Sequence, residues 1–289
     1  MYSPLILEKF VGNGDTTGKK LELLFIGCEA KPPYGPHEHT ANLFLQLIVR
    51  ALESCTTTTT KVVIHVYSTS QGNYPSKDAL EKCDGVILPG SFNSAYDEDE
   101  WVLQLKEWIQ TELVAKERKT LGVCFGHQLY AHSYEQGQAT KCGAGPQAGR
   151  KSITLTEDGK KLLCSEETSK DSLNLYYTHG DMVQKLPSQA SKLGGNEKVP
   201  IQSAIYFANA SPSKKPIAIT FQAHPEFGCD RQLGMEKTLY EIMEVMKSRG
   251  DLSEGDWEQA KEDAAAKYEA VESDSIGVMI AVGKTFGWF

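Results

Sequence analysis

The chain has 289 residues, of which 40% are hydrophobic and 24% charged, a composition typical of a globular protein and not of a disordered or fibrous one. This length predicts one main domain with appendages. The formal net charge is −8, and Lys and Arg occur in no cluster larger than short pairs, which argues against a nucleic-acid-binding surface.

Seven cysteines are scattered along the chain without CxxC spacing. Such an odd, scattered set indicates reduced thiols and not a disulfide framework or a zinc site. Near the N-terminus only residues 5–7 form an apolar patch, which is too short for the core of a signal peptide. We therefore predict a cytoplasmic protein, with the nucleus as an alternative.

Apolar runs rich in β-branched residues recur in the first half of the chain. They cover residues 21–28, 61–68, 84–90 and 120–126. Amphipathic helical patterns lie between them at residues 38–55 and 97–117. Continuous apolar strands that alternate with helices predict a parallel sheet with helices on both faces.

The second half of the chain has shorter candidate strands. They cover residues 152–156, 174–181, 203–208 and 216–226, and a helix follows at 231–247. The sequence therefore predicts an α/β fold, a three-layer αβα arrangement with a mostly parallel central sheet and a small antiparallel extension. We expect an N-terminal extension (1–19), a catalytic domain (20–248) and a C-terminal extension (249–289).

The C-terminal extension divides into an acidic, Ala-rich helix candidate at 253–272 and an apolar tail at 275–289. The tail is shorter than the ~20 residues that a membrane span requires, and it contains Lys284. We expect it to dock onto its own domain. A dimer or partner contact and a membrane anchor are the alternatives.

Cys124 lies between an apolar run and a helical pattern, in the stretch GVCFG, with Gly122 and Gly126 two residues to either side. This spacing predicts a nucleophile elbow, a sharp turn from strand to helix that projects the nucleophile. The glycines permit the turn, because a Cβ at either position would crowd it. The helix N-terminus favours a thiolate, and the Phe125 N–H is available to an oxyanion. For the other six cysteines we favour the alternative, a small buried hydrophobic side chain.

A cysteine nucleophile in acyl transfer needs an acid–base partner, and His224 is the best candidate. Pro225 follows it and favours an extended backbone at His224. In an extended segment residues i and i+2 face the same way, so Glu226 is expected to orient the imidazole. The sequence thus predicts a triad of Cys124, His224 and Glu226.

The stretches GVCFGHQ and HPE together resemble the class I, triad-type glutamine amidotransferases, and the resemblance covers residues 20–248. It implies a flavodoxin-like fold and a second set of oxyanion donors at Gly90 and Ser91. It also implies a site for the α-amino and α-carboxylate groups of a glutamine-like substrate, formed by Gln128, Thr178, His179, Gly180 and Asp181. A carboxylate such as Asp181 suits an ammonium group. Local turn capping is the alternative for His179 and Asp181.

Two details resemble the branch that includes γ-glutamyl peptidases and stand-alone amidotransferase-like proteins. One is Gly90-Ser91 in place of Gly-Gly. The other is a match to SxxSxYDxDxW at Ser91, Ser94, Tyr96, Asp97, Asp99 and Trp101. We therefore expect cysteine-dependent hydrolysis of a γ-glutamyl amide, either glutamine or a γ-glutamyl peptide, through a thioester. An amidotransferase would need a separate synthase subunit. A non-catalytic or redox-sensing protein is the competing hypothesis.

No phosphate loop and no GxGxxG fingerprint occurs, so no cofactor is expected. His37, Glu38 and His39 follow the stretch KPPYGP in an apparent loop before a helix. We interpret them as a helix cap or a substrate-gating loop and predict no metal site there. A small γ-glutamyl molecule is the expected partner, and neither nucleic acid nor a membrane is.

Overall fold

A computed structural model describes residues 3–12, 18–56, 58–164, 170–208 and 215–289. The strands are β1 (Leu5–Val11), β2 (Lys19–Gly27), β3 (Thr60–Ser68), β4 (Gly85–Leu88), β5 (Thr120–Val123), β6 (Gln138–Lys141), β7 (Gln147–Leu155), β8 (Ser172–His179), β9 (Asp181–Lys185), β10 (Ala190–Gly195), β11 (Ser203–Phe207) and β12 (Pro216–Phe221). Ten of them form one sheet in the order β1-β3-β2-β4-β5-β12-β11-β10-β7-β8, while β6 pairs with β9.

The centre of the large sheet is parallel. Strands β3, β2, β4, β5 and β12 run in one direction, and β1, β11, β10, β7 and β8 pair antiparallel to their neighbours. The predicted α/β fold class is confirmed. In the sheet order the antiparallel strands beyond β12, which are β11, β10, β7 and β8, continue the same sheet and do not form a separate layer.

Eight α-helices lie within the described residues. They are α1 (His37–Cys55), α2 (Lys77–Lys82), α3 (Glu100–Trp108), α4 (Phe125–His132), α5 (Glu157–Leu163), α6 (Tyr240–Ser248), α7 (Glu254–Ala266) and α8 (Tyr268–Phe286). A π-helical segment, Ile109–Val114, continues α3, and another, Arg231–Leu239, leads into α6. The helix predicted at 231–247 is therefore present, and Gly250 follows it in the left-handed conformation that ends helices.

The hydrophobic core covers both faces of the sheet. In β2, Leu23 and Phe25 belong to the cluster that includes α1 and α8, whereas Leu24 and Ile26 belong to the cluster that includes α3 and α4. Alternate side chains of a strand point to opposite faces, so a central strand covered on both faces must be apolar throughout. This requirement explains why the parallel strands appear as continuous apolar runs.

The N-terminal segment extends the sheet at one edge, where β1 pairs with β3. No strand was predicted here, because the segment lacks the pattern of a buried strand. In the structure Leu5, Ile6 and Phe10 are exposed. The short strands β6, β9 and β10 were also not predicted, nor were the helices α2 and α5, although Ser76 and Thr156 cap the N-termini of these two helices. The proposed domain boundaries remain predictions.

The apolar tail docks onto its own domain, as expected. It belongs to α8, which begins at Tyr268 and packs against α1. Beyond it Trp288 is buried, and its indole N–H donates to the Asp84 carbonyl oxygen at 3.0 Å. The predicted division of this region was wrong, since the break between the two helices falls at Lys267 and the acidic segment spans it. None of the helices in the described residues combines the length and the apolar character that crossing a membrane requires.

Candidate active site

Cys124 occupies the turn between β5 and α4. Its φ of 52° and ψ of −109° lie in a region that residues with a Cβ rarely adopt. Its backbone N–H donates to the Phe221 carbonyl oxygen at 2.8 Å, and its own carbonyl oxygen accepts from the Gln128 N–H at 3.0 Å. These bonds tie the turn to the end of β12 and to the first turn of α4, in the strand-to-helix elbow that the sequence predicts.

The two flanking glycines are required by close contact with neighbouring strands, through backbone at Gly126 and through a side chain at Gly122. A Cβ on Gly126 would lie 2.2 Å from the Leu88 carbonyl oxygen, and one on Gly122 would lie 2.9 Å from the Thr220 methyl carbon. The predicted crowding is confirmed. It arises because β4, β5 and β12 meet the first turn of α4 at van der Waals distance.

His224 and Glu226 form a buried pair. The imidazole Nδ1 is 2.8 Å from Glu226 Oε1, and both side chains have no exposed surface. The predicted reason for their proximity was wrong. Strand β12 ends at Phe221, and Pro225 begins a short 3-10 helix, Pro225–Gly228, so a helical turn and not strand alternation brings Glu226 back to His224. Proline suits this position because its fixed φ is helical and no N–H is needed there.

The electrostatics favour a protonated imidazole. Burial alone would lower the pKa of His224, but the charges of Glu226 and Cys124 and the hydrogen bond with Glu226 raise this pKa to about 10. Cys124 is itself only 3% exposed. The structure therefore brings Cys124, His224 and Glu226 together at the end of the parallel strands.

The proposed oxyanion donors lie beside this group. Gly90 follows β4, and a Cβ on it would lie 2.9 Å from His224 Cε1. The Gly126 N–H donates to the Pro89 carbonyl oxygen at 3.1 Å, which links the loop of Gly90 and Ser91 to the helix of Phe125. The roles of Gly90, Ser91 and Phe125 remain predictions.

Tyr34 also lies in the site, and sequence analysis did not select it. Its hydroxyl is 3.2 Å from Thr178 Oγ1 and 3.5 Å from His224 Nε2, and the side chain is buried. Burial and the nearby charge of Cys124 raise the pKa of Tyr34, so its hydroxyl remains protonated. A proline-rich loop has no periodicity to interpret, but this loop follows the carboxyl end of β2, where open α/β sheets bind ligands.

Phe227 lies against the other side of the imidazole and was also not selected. Its ring stacks on that of His224, with 4.3 Å between centroids and 2° between planes. The side chain comes from the same 3-10 helix that carries Glu226. The imidazole is therefore held at its edge by Glu226 and on one face by Phe227.

The remaining predicted substrate residues gather around Asp181. The Asp181 carbonyl oxygen accepts from Gln128 Nε2 at 3.1 Å and from His179 Nδ1 at 2.7 Å. Its carboxylate accepts from Ser94 Oγ at 2.6 Å and from Tyr96 Oη at 2.8 Å. Burial lowers the pKa of His179 to about 4, so its ring is neutral near pH 7. Sequence analysis quoted Ser94 and Tyr96 as a family match but did not select them as site residues.

His37 and His39 contact different elements. His37 Nε2 is 2.8 Å from Ser68 Oγ, and His39 Nε2 is 2.8 Å from Thr238 Oγ1. Both residues lie in the first turn of α1, where Pro36 and not a histidine occupies the N-cap, so the predicted helix cap was wrong. The alternative, a substrate-gating role, remains a prediction. In the part of the chain that the structure describes, no three His, Cys, Asp or Glu side chains are placed to hold a metal ion.

Known proteins resemble this chain in sequence and in fold. It is 29% identical over 175 residues to gamma-glutamyl peptidase 5 of Arabidopsis thaliana, a match that covers 60% of this chain and 62%, less than two thirds, of that protein. Its identity to gamma-glutamyl peptidase 2 of the same plant is 28% over 198 residues, covering 68% and 72% of the two chains.

Solved structures show the same fold at lower identity. A glutamine amidotransferase of Thermotoga maritima superposes with a TM-score of 0.64 at 19% identity, over 92% of this chain and 98% of that one. A glutamine amido transferase of Methylobacillus flagellatus gives a TM-score of 0.58 at 14% identity, over 92% and 95%. The family described as glutamine amidotransferase class-I matches residues 41–236. This match spans more than half of the chain, and the protein therefore belongs to the class I glutamine amidotransferase family.

Proposed function

We propose that this protein is a cysteine-dependent hydrolase of γ-glutamyl amide bonds that acts through a γ-glutamyl thioester. One observation carries the proposal: a fully buried imidazole, paired with Glu226 at 2.8 Å, lies close enough to Cys124 at the elbow for the charge of the sulfur to raise the pKa of the imidazole. A nucleophile, an acid–base group and an orienting carboxylate that lie this close together are what acyl transfer by a cysteine requires. Family membership and the similarity to gamma-glutamyl peptidases support an amide-hydrolysing function.

In the first half of the reaction the Cys124 sulfur attacks the side-chain carbonyl carbon of the γ-glutamyl group. The N–H groups of Phe125 and of Gly90 or Ser91 donate to the oxyanion that forms. His224 carries the thiol proton and delivers it to the leaving nitrogen, and the C–N bond breaks. The raised pKa of His224 is consistent with an imidazole that holds this proton at neutral pH.

The second half of the reaction releases glutamate. Water gives a proton to the now neutral His224 and adds to the thioester carbonyl, and the Cys124 sulfur leaves with a proton returned by the imidazole. The substrate is a γ-glutamyl peptide or glutamine. The similarity to gamma-glutamyl peptidases favours the peptide, whereas a glutamine amidotransferase would pass ammonia to a separate synthase subunit.

The competing hypothesis is a redox-sensing protein that retains the fold. A sensor thiol needs neither an acid–base partner nor a carboxylate that orients it. The buried pair of His224 and Glu226 beside Cys124 has a function in acyl transfer and none in a sensor. These features support the hydrolase over the sensor.

The direct test is glutamate release from L-glutamine and from a γ-glutamyl dipeptide. We expect release from at least one substrate, and Cys124→Ala lowers the rate at least about 1000-fold because no nucleophile remains. Cys83→Ala is the matched control, since this half-buried thiol donates to the Leu80 carbonyl oxygen and is not a residue of the site, so its loss should leave the rate unchanged. Equal rates for the parent and Cys124→Ala would refute the mechanism.

A further inference from the structure

We propose that Ser94 and Tyr96 are positioning residues that fix the Asp181 carboxylate as the acceptor for a substrate α-ammonium group, so that the site selects γ-glutamyl substrates with a free α-amino group. This inference rests on the proposed function, because it assigns the head group of the same substrate. It concerns two hydroxyl groups that act through Asp181 and have no part in the bond-making steps.

Each oxygen of the Asp181 carboxylate accepts a hydrogen bond from one of the two hydroxyl groups. Ser94 Oγ donates to one oxygen of Asp181 at 2.6 Å, and Tyr96 Oη donates to the other at 2.8 Å. A carboxylate can accept about four hydrogen bonds, so each oxygen keeps acceptor capacity for a further donor. Asp181 is half-buried and thus remains accessible to a ligand.

The hydroxyl groups that donate to the Asp181 carboxylate do not neutralise its negative charge, so a cation can still bind there. Both donors are neutral hydroxyl groups, and burial, with the charge of Asp181 contributing, raises the pKa of Tyr96, which keeps its hydroxyl protonated. A primary ammonium group supplies both the positive charge and the donors that the open lone pairs of Asp181 need.

The backbone of Asp181 is fixed by a second set of hydrogen bonds. Its carbonyl oxygen accepts from Gln128, one helical turn beyond Cys124, and from His179. The bond from Gln128 ties the Asp181 segment to the helix that begins beside Cys124. We therefore expect an ammonium group on Asp181 to belong to the same small molecule whose carbonyl reaches Cys124.

Ser94 and Tyr96 lie in a closed loop that begins beside the proposed oxyanion donors. Asn93 Nδ2 donates to Asp97 at 3.1 Å and to Asp99 at 2.9 Å, and the Ser94 N–H donates to Asp97 at 2.9 Å. These hydrogen bonds within the loop hold its shape independently of its contacts with Asp181. Because Gly90 and Ser91 precede it directly, one short segment sets the distance between the oxyanion position and the ammonium position.

The test uses Tyr96→Phe and Ser94→Ala, each of which removes one hydroxyl group. The substrates are L-glutamine or a γ-glutamyl dipeptide and the corresponding glutaryl amide, which lacks only the α-amino group. We expect each variant to raise KM for the amino substrate about 5-fold, with kcat within about 2-fold, from the loss of a hydrogen bond to a charged group. The glutaryl amide should show no change, because it places no ammonium group on Asp181.

Tyr240→Phe is the matched control, since its hydroxyl donates to the Lys261 carbonyl oxygen at 3.2 Å, on helices that do not contribute to the site. The inference is overturned if Tyr96→Phe and Ser94→Ala leave KM unchanged, or if they affect both substrates equally. A purely structural role would produce the latter result.

A binding measurement separates this inference from the proposed function. Calorimetry of L-glutamine with Cys124→Ala, and with Cys124→Ala combined with Tyr96→Phe, needs no turnover. Weaker binding by the double variant, with no hydrolysis by the parent protein, would refute the proposed function and leave the ammonium site standing. Hydrolysis with equal binding by both variants would refute only the ammonium site, and the absence of binding together with the absence of hydrolysis would refute both.

Discussion

Two neighbouring regions of the site are held in place in different ways. The thiol region, formed by Cys124, His224 and Glu226, is almost wholly buried, and backbone contacts and ring stacking fix it. The head-group region, formed by Ser94, Tyr96 and Asp181, is half-buried to exposed and is fixed by side-chain hydrogen bonds between loops. Changes in the thiol region should therefore alter the fold and the chemical step, whereas changes in the head-group region should alter affinity.

The largest expected contrast is between two glycines. Gly126→Ala places a Cβ against the Leu88 backbone and should lower the free energy of unfolding by about 3 kcal/mol, because backbone cannot yield as a flexible side chain can. Gly180→Ala in the loop before Asp181 meets nothing within 4 Å and should change it by less than about 0.5 kcal/mol. Denaturant unfolding of both variants measures the difference. Equal losses would show that backbone packing does not distinguish the two regions.

The next contrast concerns the orienting carboxylate. Glu226→Gln keeps the shape of the side chain but removes the charge that does most to raise the pKa of His224, so this pKa should fall and kcat should drop about 100-fold. Steady-state kinetics and an NMR titration of His224 measure both effects. Glu236→Gln, which breaks an exposed pair with Arg231, is the control and should leave both unchanged. An unaltered titration would show that Glu226 does not govern the imidazole.

Asp181→Asn should give a smaller effect of a different kind. It preserves acceptor capacity on one atom but removes the charge, so KM for a substrate with an α-ammonium group should rise about 10-fold while kcat changes little. The glutaryl amide should bind equally well to both proteins. A loss confined to kcat would place Asp181 in the chemical step and remove the contrast between the two regions.

The last contrast is in the pH dependence of stability, where two buried histidines, one in the thiol region and one beside Asp181, differ in sign. The pKa of His224 is raised from 6.5 to about 10, so its stabilising contribution is present below pH 6.5 and is lost as the pH rises through about 10. The pKa of His179 is lowered to about 4, so its contribution is present above pH 6.5 and is lost as the pH falls toward 4. Unfolding between pH 4 and 10 should show that His224→Gln flattens the alkaline limb and His179→Gln the acidic one. If both variants flattened the same limb of the pH profile, the two histidines would not contribute to stability with opposite signs.

The thiol region could largely be predicted from the sequence because its signals are local. Gly122, Cys124 and Gly126 are spaced by the turn itself, and the apolar runs of the parallel strands follow from burial on both faces. His224 and Glu226 were selected for an incorrect reason, a strand that ends three residues before His224. The 3-10 turn that joins them begins at a proline, and Pro225 is a helix-start signal as well as a signal for an extended predecessor.

The head-group region could be predicted only in part because its contacts are long-range. Ser94 and Tyr96 are separated from Asp181 by 87 and 85 positions, and no spacing in the sequence indicates that these side chains meet. Tyr34 reaches His224 across 190 positions from a loop without periodicity. The strands β6 and β9 were missed for a related reason, since each is short and its pattern depends on the partner strand.

The imidazole of His224 has one nitrogen left for proton transfer. Its protons lie in the plane of the ring, and Glu226 contacts Nδ1 at 2.8 Å, so Nε2 is the nitrogen that remains. In the proposed reaction the departing amine takes its proton there, where the Tyr34 hydroxyl lies at 3.5 Å. The size and shape of the amines that the protein can release should thus depend on how far this one tyrosine can swing aside.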